Sequence, residues 1–212
     1  MRRLPIYFLV DISVASDINK LNMCLKKFLL CIREDPYMLE TAYISIITIG
    51  DTARISLPLT HNCDIKAIPM SNTEKGMALG AALNLLMDDI DKKVVKTTIE
   101  RKGDMKPVIF LFTDGMPTDN VTLALEKWGC NYLFKGILIS VARKETAKLL
   151  EPISNLILPQ TDSTLSKLPE ILKEIVFWPV EAPLCCSQQE KRNNFNRELK
   201  EMFINLQIPI FL

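Results

Sequence analysis

The chain has one histidine, His61, and no Cys-x-x-Cys pair among its 212 residues, so a structural zinc site built from paired knuckles is not expected. Charge of one sign is not in excess: 26 Lys+Arg stand against 25 Asp+Glu. Nucleic acid and acidic membrane surfaces are therefore not indicated as main partners. No stretch approaches the ~18 apolar residues of a membrane span. Gly-x-Gly-x-x-Gly and the P-loop pattern are both missing, which argues against dinucleotide or ATP binding. There is no Gly-x-Ser-x-Gly elbow to support a hydrolase triad. Six cysteines are present, but four (Cys24, Cys31, Cys63, Cys130) lie inside apolar patterns or beside them and do not suggest a disulfide framework. They read as reduced thiols in a cytoplasmic protein. Cys185-Cys186 reads as two partly buried small residues, with a redox or metal contact as the sharper alternative.

What is present is globular. Apolar residues make up 48% and charged residues 24% of the chain, and the length suits one core. The start imitates a secretion signal, with Arg2 and Arg3 before an apolar run from Leu4 to Val10. The run is short, contains Pro5 and ends at Asp11 with no small-residue cleavage site, so a first β-strand explains it better.

Strand-length apolar runs then alternate with helix-period segments. Ile6 to Val10 and Val108 to Phe112 are continuous, as strands buried on both faces would be. Ile18, Leu21, Leu25, Phe28, Leu29 and Ile32 form one helix face, with Ser16 or Asp17 as N-cap and Asp35-Pro36 as terminator. Thr41 to Ile49 and Ala53 to Leu59 read as an antiparallel pair around Gly50-Asp51. A second helix carries Leu79, Leu83, Leu86, Met87, Ile90 and Val94. Further segments are a helix from Pro117 to about Trp128, a strand from Lys135 to Val141, a short helix from Glu145, a strand at Leu156 to Leu158 and a helix from about Ser163 to Val176. This order predicts an α/β sandwich with a central, mostly parallel six-stranded sheet, one antiparallel edge strand and helices on both faces. Residues 1–180 form the domain, and 181–212 read as an appended tail.

Ligands of open parallel sheets sit beyond the carboxyl ends of strands, where the strand order reverses. Asp11-Ile12-Ser13-Val14-Ala15-Ser16 follows the first strand, and Thr113-Asp114-Gly115-Met116-Pro117 follows the other fully buried one. A carboxylate at a strand tip needs a partner, either helix amides and hydroxyls or a hard cation. Asp11, Ser13 and Asp114 offer an oxygen set of the kind Mg²⁺ accepts. The other reading is that both acids bond to helix N-termini and shape the loops. Asp119 reads as a helix cap before a metal contact.

Asp-x-Ser after the first strand and Thr-Asp-Gly after a later one resemble the von Willebrand factor A (VWA, Rossmann-like) domain. Arg2-Arg3-Leu4-Pro5, Asp35-Pro36-Tyr37, Leu39-Glu40-Thr41-Ala42-Tyr43, Pro58-Leu59-Thr60, Leu79-Gly80-Ala81-Ala82-Leu83, Lys102-Gly103-Asp104 and Phe112-Thr113-Asp114-Gly115 resemble the bacterial tellurite-resistance-type (TerY/YegL-like) VWA proteins. The resemblance implies a metal-ion-dependent adhesion site (MIDAS), in which Asp-x-Ser-x-Ser, a Thr and an Asp hold Mg²⁺ and a partner's carboxylate completes the shell. Two expected hydroxyls are replaced here, by Ala15 and by Met77, whose thioether is a poor Mg²⁺ ligand. The partial site is Asp11, Ser13 and Asp114, with Mg²⁺ held weakly or not at all. Ser16 or Thr73 could compensate only if their loops shift.

The resulting expectation is a noncatalytic protein-interaction module, an adaptor in a bacterial tellurite or stress-response system. It would contact another protein, through an acidic side chain if a cation is present, at Val14, Ser16, Met77, Met116 and Asp119. Two rivals are a Mg²⁺-dependent phosphoryl-transfer enzyme using Asp11, for which Lys135 lies at the wrong end of its strand, and a structural subunit docking through Ile208 to Leu212. The oligomeric state is not readable from the sequence.

Overall fold

The apolar run after Arg3 is β1 (Leu4–Asp11), buried along its whole length. A computed structural model describes residues 2–13, 18–69, 73–132, 135–177, 188–205 and 210. Val14, Ala15, Ser16, Asp17, Cys185, Cys186 and most of the Ile208–Leu212 segment lie outside the described residues.

The remaining strands are β2 (Ala42–Ile49), β3 (Ala53–His61), β4 (Val108–Thr113), β5 (Ile137–Ala142) and β6 (Leu156–Pro159). They form one six-stranded sheet in the order β3-β2-β1-β4-β5-β6. Only the β2–β3 pair is antiparallel, as its short turn requires, and β3 is the edge. The strand order reverses between β1 and β4, so a crevice opens beyond their carboxyl ends.

The helices are α1 (Ile18–Glu34), α2 (Pro36–Thr41), α3 (Leu79–Lys93), α4 (Thr122–Asn131), α5 (Lys144–Leu150), α6 (Asp162–Ser166), α7 (Leu168–Phe177) and α8 (Gln188–Asn205). Side chains alternate along each strand, so the sheet has two buried faces. Leu4, Ile6, Phe8 and Val10 of β1 pack with α1, α6, α7 and α8. Tyr7 and Leu9 pack with α3, α4 and Leu150 of α5. Phe8, Phe28 and Phe110 form the aromatic centre of the first layer, with ring centroids of Phe8 4.9 Å from Phe28 and 5.5 Å from Phe110.

Three local departures from the sequence reading have physical causes. Asp35-Pro36 ends α1 but also starts α2: the Asp35 carboxylate accepts from the Met38 amide at 3.0 Å, and Pro36 takes the first helical position. The helix expected from Pro117 begins only at Thr122, because the residues before it serve the neighbouring helix α3. The helix expected over 163–176 is two helices, since an interior Pro169 would remove a ladder bond and clash with the carbonyl four residues back. The polar tail also contains a helix with an inward contact. Leu199 and Phe203 of α8 are both 0% exposed within the first core layer. Among the described residues, no helix is long and apolar enough to cross a membrane.

Candidate functional site at the strand ends

Side-chain parity decides what meets in the crevice. Asp11 and Thr113 continue the odd-numbered face of β1 and β4, the face that α3 covers. Both are 1% exposed, and the Thr113 hydroxyl donates to Asp11 Oδ2 at 3.2 Å. The Ser13 amide donates to Asp11 Oδ1 at 2.8 Å. Burial pushes the Asp11 carboxyl above its usual range, the bonds from Ser13 pull it back, and the charge of Asp114 raises it again.

Asp114 is the second buried carboxylate, 8% exposed. Its Oδ2 lies 3.3 Å from Arg143 Nη2. Strand register explains the meeting: Thr113 pairs with Ala142, so the next residue on each strand, Asp114 and Arg143, stand side by side. The Arg143 side chain remains 59% exposed. Thr146, one turn into α5, donates to the Gly115 carbonyl at 3.0 Å and fixes the 113–116 loop.

Met77 precedes α3 and is 1% exposed. The Thr113 hydroxyl also lies 3.3 Å from its sulfur. A partner contact by Met77 is therefore corrected: in this conformation the side chain is floor and offers no surface. Asp119 does cap a helix, though not the one it precedes: its carboxylate accepts from the Gly80 and Ala81 amides at 3.1 and 2.9 Å, so it caps α3 rather than α4. Thr118 accepts from the Met77 amide at 3.0 Å. Gly80 permits this approach, since a Cβ there would sit 2.9 Å from the Asn120 carbonyl and 3.0 Å from Asp119 Oδ2. Met116, in contrast, is 59% exposed on the rim.

Glu74 was not foreseen. It bridges to Ser13 in a parallel pairing, and its carboxylate accepts from the Asp51 amide at 2.7 Å and pairs with Arg54. The loop before α3 is thus tied to β1 and to the β2–β3 turn. Thr73 is exposed beside it. Arg143 was also missed, since nothing in the local pattern marks it; only the β4–β5 register would have found it.

A hard divalent ion fits this arrangement poorly. A Cβ placed on Gly115 would lie 3.6 Å from Asp11 Oδ2, 3.7 Å from Met77 Sδ and 3.9 Å from Ser13 Oγ. The three described atoms nearest to the small space that glycine leaves open are thus two oxygens and one soft sulfur, whereas Mg²⁺ asks for an octahedron of oxygens. A guanidinium already faces Asp114. Among the described residues there is no cluster of three or more His, Cys, Asp or Glu able to hold a metal.

The sequence matches no protein-family model and no curated protein. Solved structures do match. Proximal thread matrix protein 1 from the mussel byssus aligns with a TM-score of 0.59 at 14% identity over 82% of this chain and 48% of that one. A second structure of it, "with zinc occupied MIDAS motif", gives 0.58 at 15% over the same shares. The SpRpn10 VWA domain gives 0.54 at 10% over 78% of this chain and 93% of that domain. This chain spans about half the length of the mussel protein. At such identities the likeness establishes the fold alone: a six-stranded VWA-type α/β sandwich.

Proposed function

We propose that this protein is a noncatalytic protein-interaction module that engages its partner with the loops at the carboxyl end of the sheet, over a degenerate MIDAS. Residues 1–180 are the interaction domain, and the appended segment 181–212 contributes helix α8, whose Leu199 and Phe203 pack into that domain's core. The observation that carries the reading is the pair of buried carboxylates, Asp11 and Asp114, at the switch point of a VWA-type sheet. Asp11, Ser13 and Asp114 keep part of an oxygen set, Ala15 and Met77 take the places of two hydroxyl ligands, and Mg²⁺ is weakly held or not required. Support for a protein partner also comes from similar folds, among them a byssal thread matrix protein and the SpRpn10 VWA domain.

An adaptor role in a bacterial, cytoplasmic tellurite or stress-response system is what the resemblance of the sequence blocks implies, and it stands as a proposal on that footing. The phosphoryl-transfer alternative gains no support: Lys135 pairs with Asp91 at 3.4 Å just before β5 begins, at the far end of the sheet from Asp11.

The test is site-specific photocrosslinking in cells. A photoreactive residue at Met116, on the rim, is compared with one at Ile99, exposed near the opposite end of the sheet. A discrete adduct at 116 that is absent at 99 supports the reading. Equal labelling at both positions overturns it.

A further inference from the structure

We infer that Arg143 is a built-in cation that takes the place of a divalent ion, and that it opens a metal-independent surface for an acidic protein segment. The inference rests on the interaction-face reading above and names the partner's chemistry.

Two buried carboxylates at one crevice are an unfavourable charge arrangement unless a cation stands nearby. Here the guanidinium beside Asp114 supplies that charge from the protein itself, at the step where β4 and β5 leave the sheet. A guanidinium has five N–H donors in a planar fork. The Arg143 side chain is 59% exposed, so its outer edge can receive a second carboxylate bidentately. The sulfur of Met77 suits this state, since a site whose cation is permanent has no need of a full oxygen shell.

The positive surface continues from Arg143. Lys144 and Lys148 of α5 and Lys200 of α8 line a cleft of about 370 Å³, with Asn193 and Asn196 on the α8 side and Leu156 in its wall. None of the three lysines makes an ion pair among the described residues. Among the described residues that line the cleft, Glu151 is the one carboxylate. Arg143 and the three lysines thus give a cationic track from the strand-end crevice to the α5–α8 cleft. An extended segment rich in Asp and Glu is the occupant whose charge complements it.

The test uses fluorescein-labelled hexaglutamate and the full chain, read by anisotropy in EDTA and again with about 1 mM Mg²⁺. Binding in EDTA is expected, with an affinity that Mg²⁺ changes by less than about twofold. Arg143→Gln and the double variant Lys148→Glu/Lys200→Glu should each weaken it by roughly tenfold or more, an amount typical of losing close charge pairs. Arg143→Lys should restore part of the loss, which separates a charge effect from a folding defect. Lys92→Glu/Lys93→Glu, at the far end of α3, should leave binding within about twofold of wild type. Binding that requires Mg²⁺, or that survives both site variants, overturns the inference. If hexaglutamate does not bind while crosslinking at Met116 persists, the acidic-segment inference falls and the interaction-face reading stands.

Discussion

Asp11 is the residue on which charge and stability are most directly opposed. Burial, and then the charge of Asp114, raise its folded pKa above the ordinary carboxylate value, so the folded chain keeps this proton to a higher pH than the unfolded chain does. In the window from about 3.8 up through the folded value the native state binds more protons, and stability falls as pH rises. Asp11→Asn removes that titration. At pH 7.5 in EDTA the variant should melt about 2–4 °C above wild type, which is about 1 kcal/mol for a domain of this size. The margin should shrink as the pH approaches 4, and an equal margin at both pH values would show that ionisation is not the cause. Asp119 makes the opposite contribution. Asp119→Ala leaves the Gly80 and Ala81 amides without their cap and should cost about 1 kcal/mol, read as a drop in melting temperature. Asp119→Asn should retain most of that, because an amide oxygen can still cap. Asp11, Ser13 and Asp114 were legible as a cluster, because acids at the tips of apolar strands have few uses. Arg143 was not, because its role depends on which strand lies beside which.

At the scale of elements, sequence periodicity placed the six strands and the major helices, since a strand buried on both faces and an amphipathic helix write different patterns. What periodicity could not place were the caps. Thr118 and Asp119 look like the start of their own helix, yet they close α3 across the crevice. Arg2-Arg3 likewise meets Lys102-Gly103-Asp104: Arg3 forks onto Asp104 at 2.9 and 2.6 Å, and Arg2 donates to the Gly103 carbonyl at 2.9 Å. Those blocks secure the end of the sheet opposite the candidate site. Helix α8 was the least legible, because its sequence is mostly polar; among its described side chains Leu199 and Phe203 anchor it. Phe203→Ala should therefore cost about 3–5 kcal/mol, as the loss of a fully buried aromatic does. Denaturant melts of the full chain measure this, and a cost under about 1 kcal/mol would show that the helix adds little to the core.

At the scale of the whole molecule, the sheet holds two layers of unequal character. One is built around phenylalanines and carries the added helix α8; the other, under α3 and α4, leads at its end into the carboxylates. Tyr7 marks the second layer's polar element, donating to Asp89 Oδ2 at 3.1 Å although both residues are buried. Tyr7→Phe leaves Asp89 as an under-bonded buried carboxylate and should destabilise the fold by about 1–3 kcal/mol. A melting temperature unchanged from wild type would show that another group satisfies it.

The Asp11–Thr113 bond joins residues 102 positions apart, and the ion pair at Asp114 draws in Arg143 from the far side of β5. Neither arrangement is available to a local segment of the chain, and such long-range closures are among the slower events in folding. The crevice is therefore a property of tertiary structure: no single helix, strand or turn of this chain contains it, and local unfolding of either β4 or β5 would dissolve it.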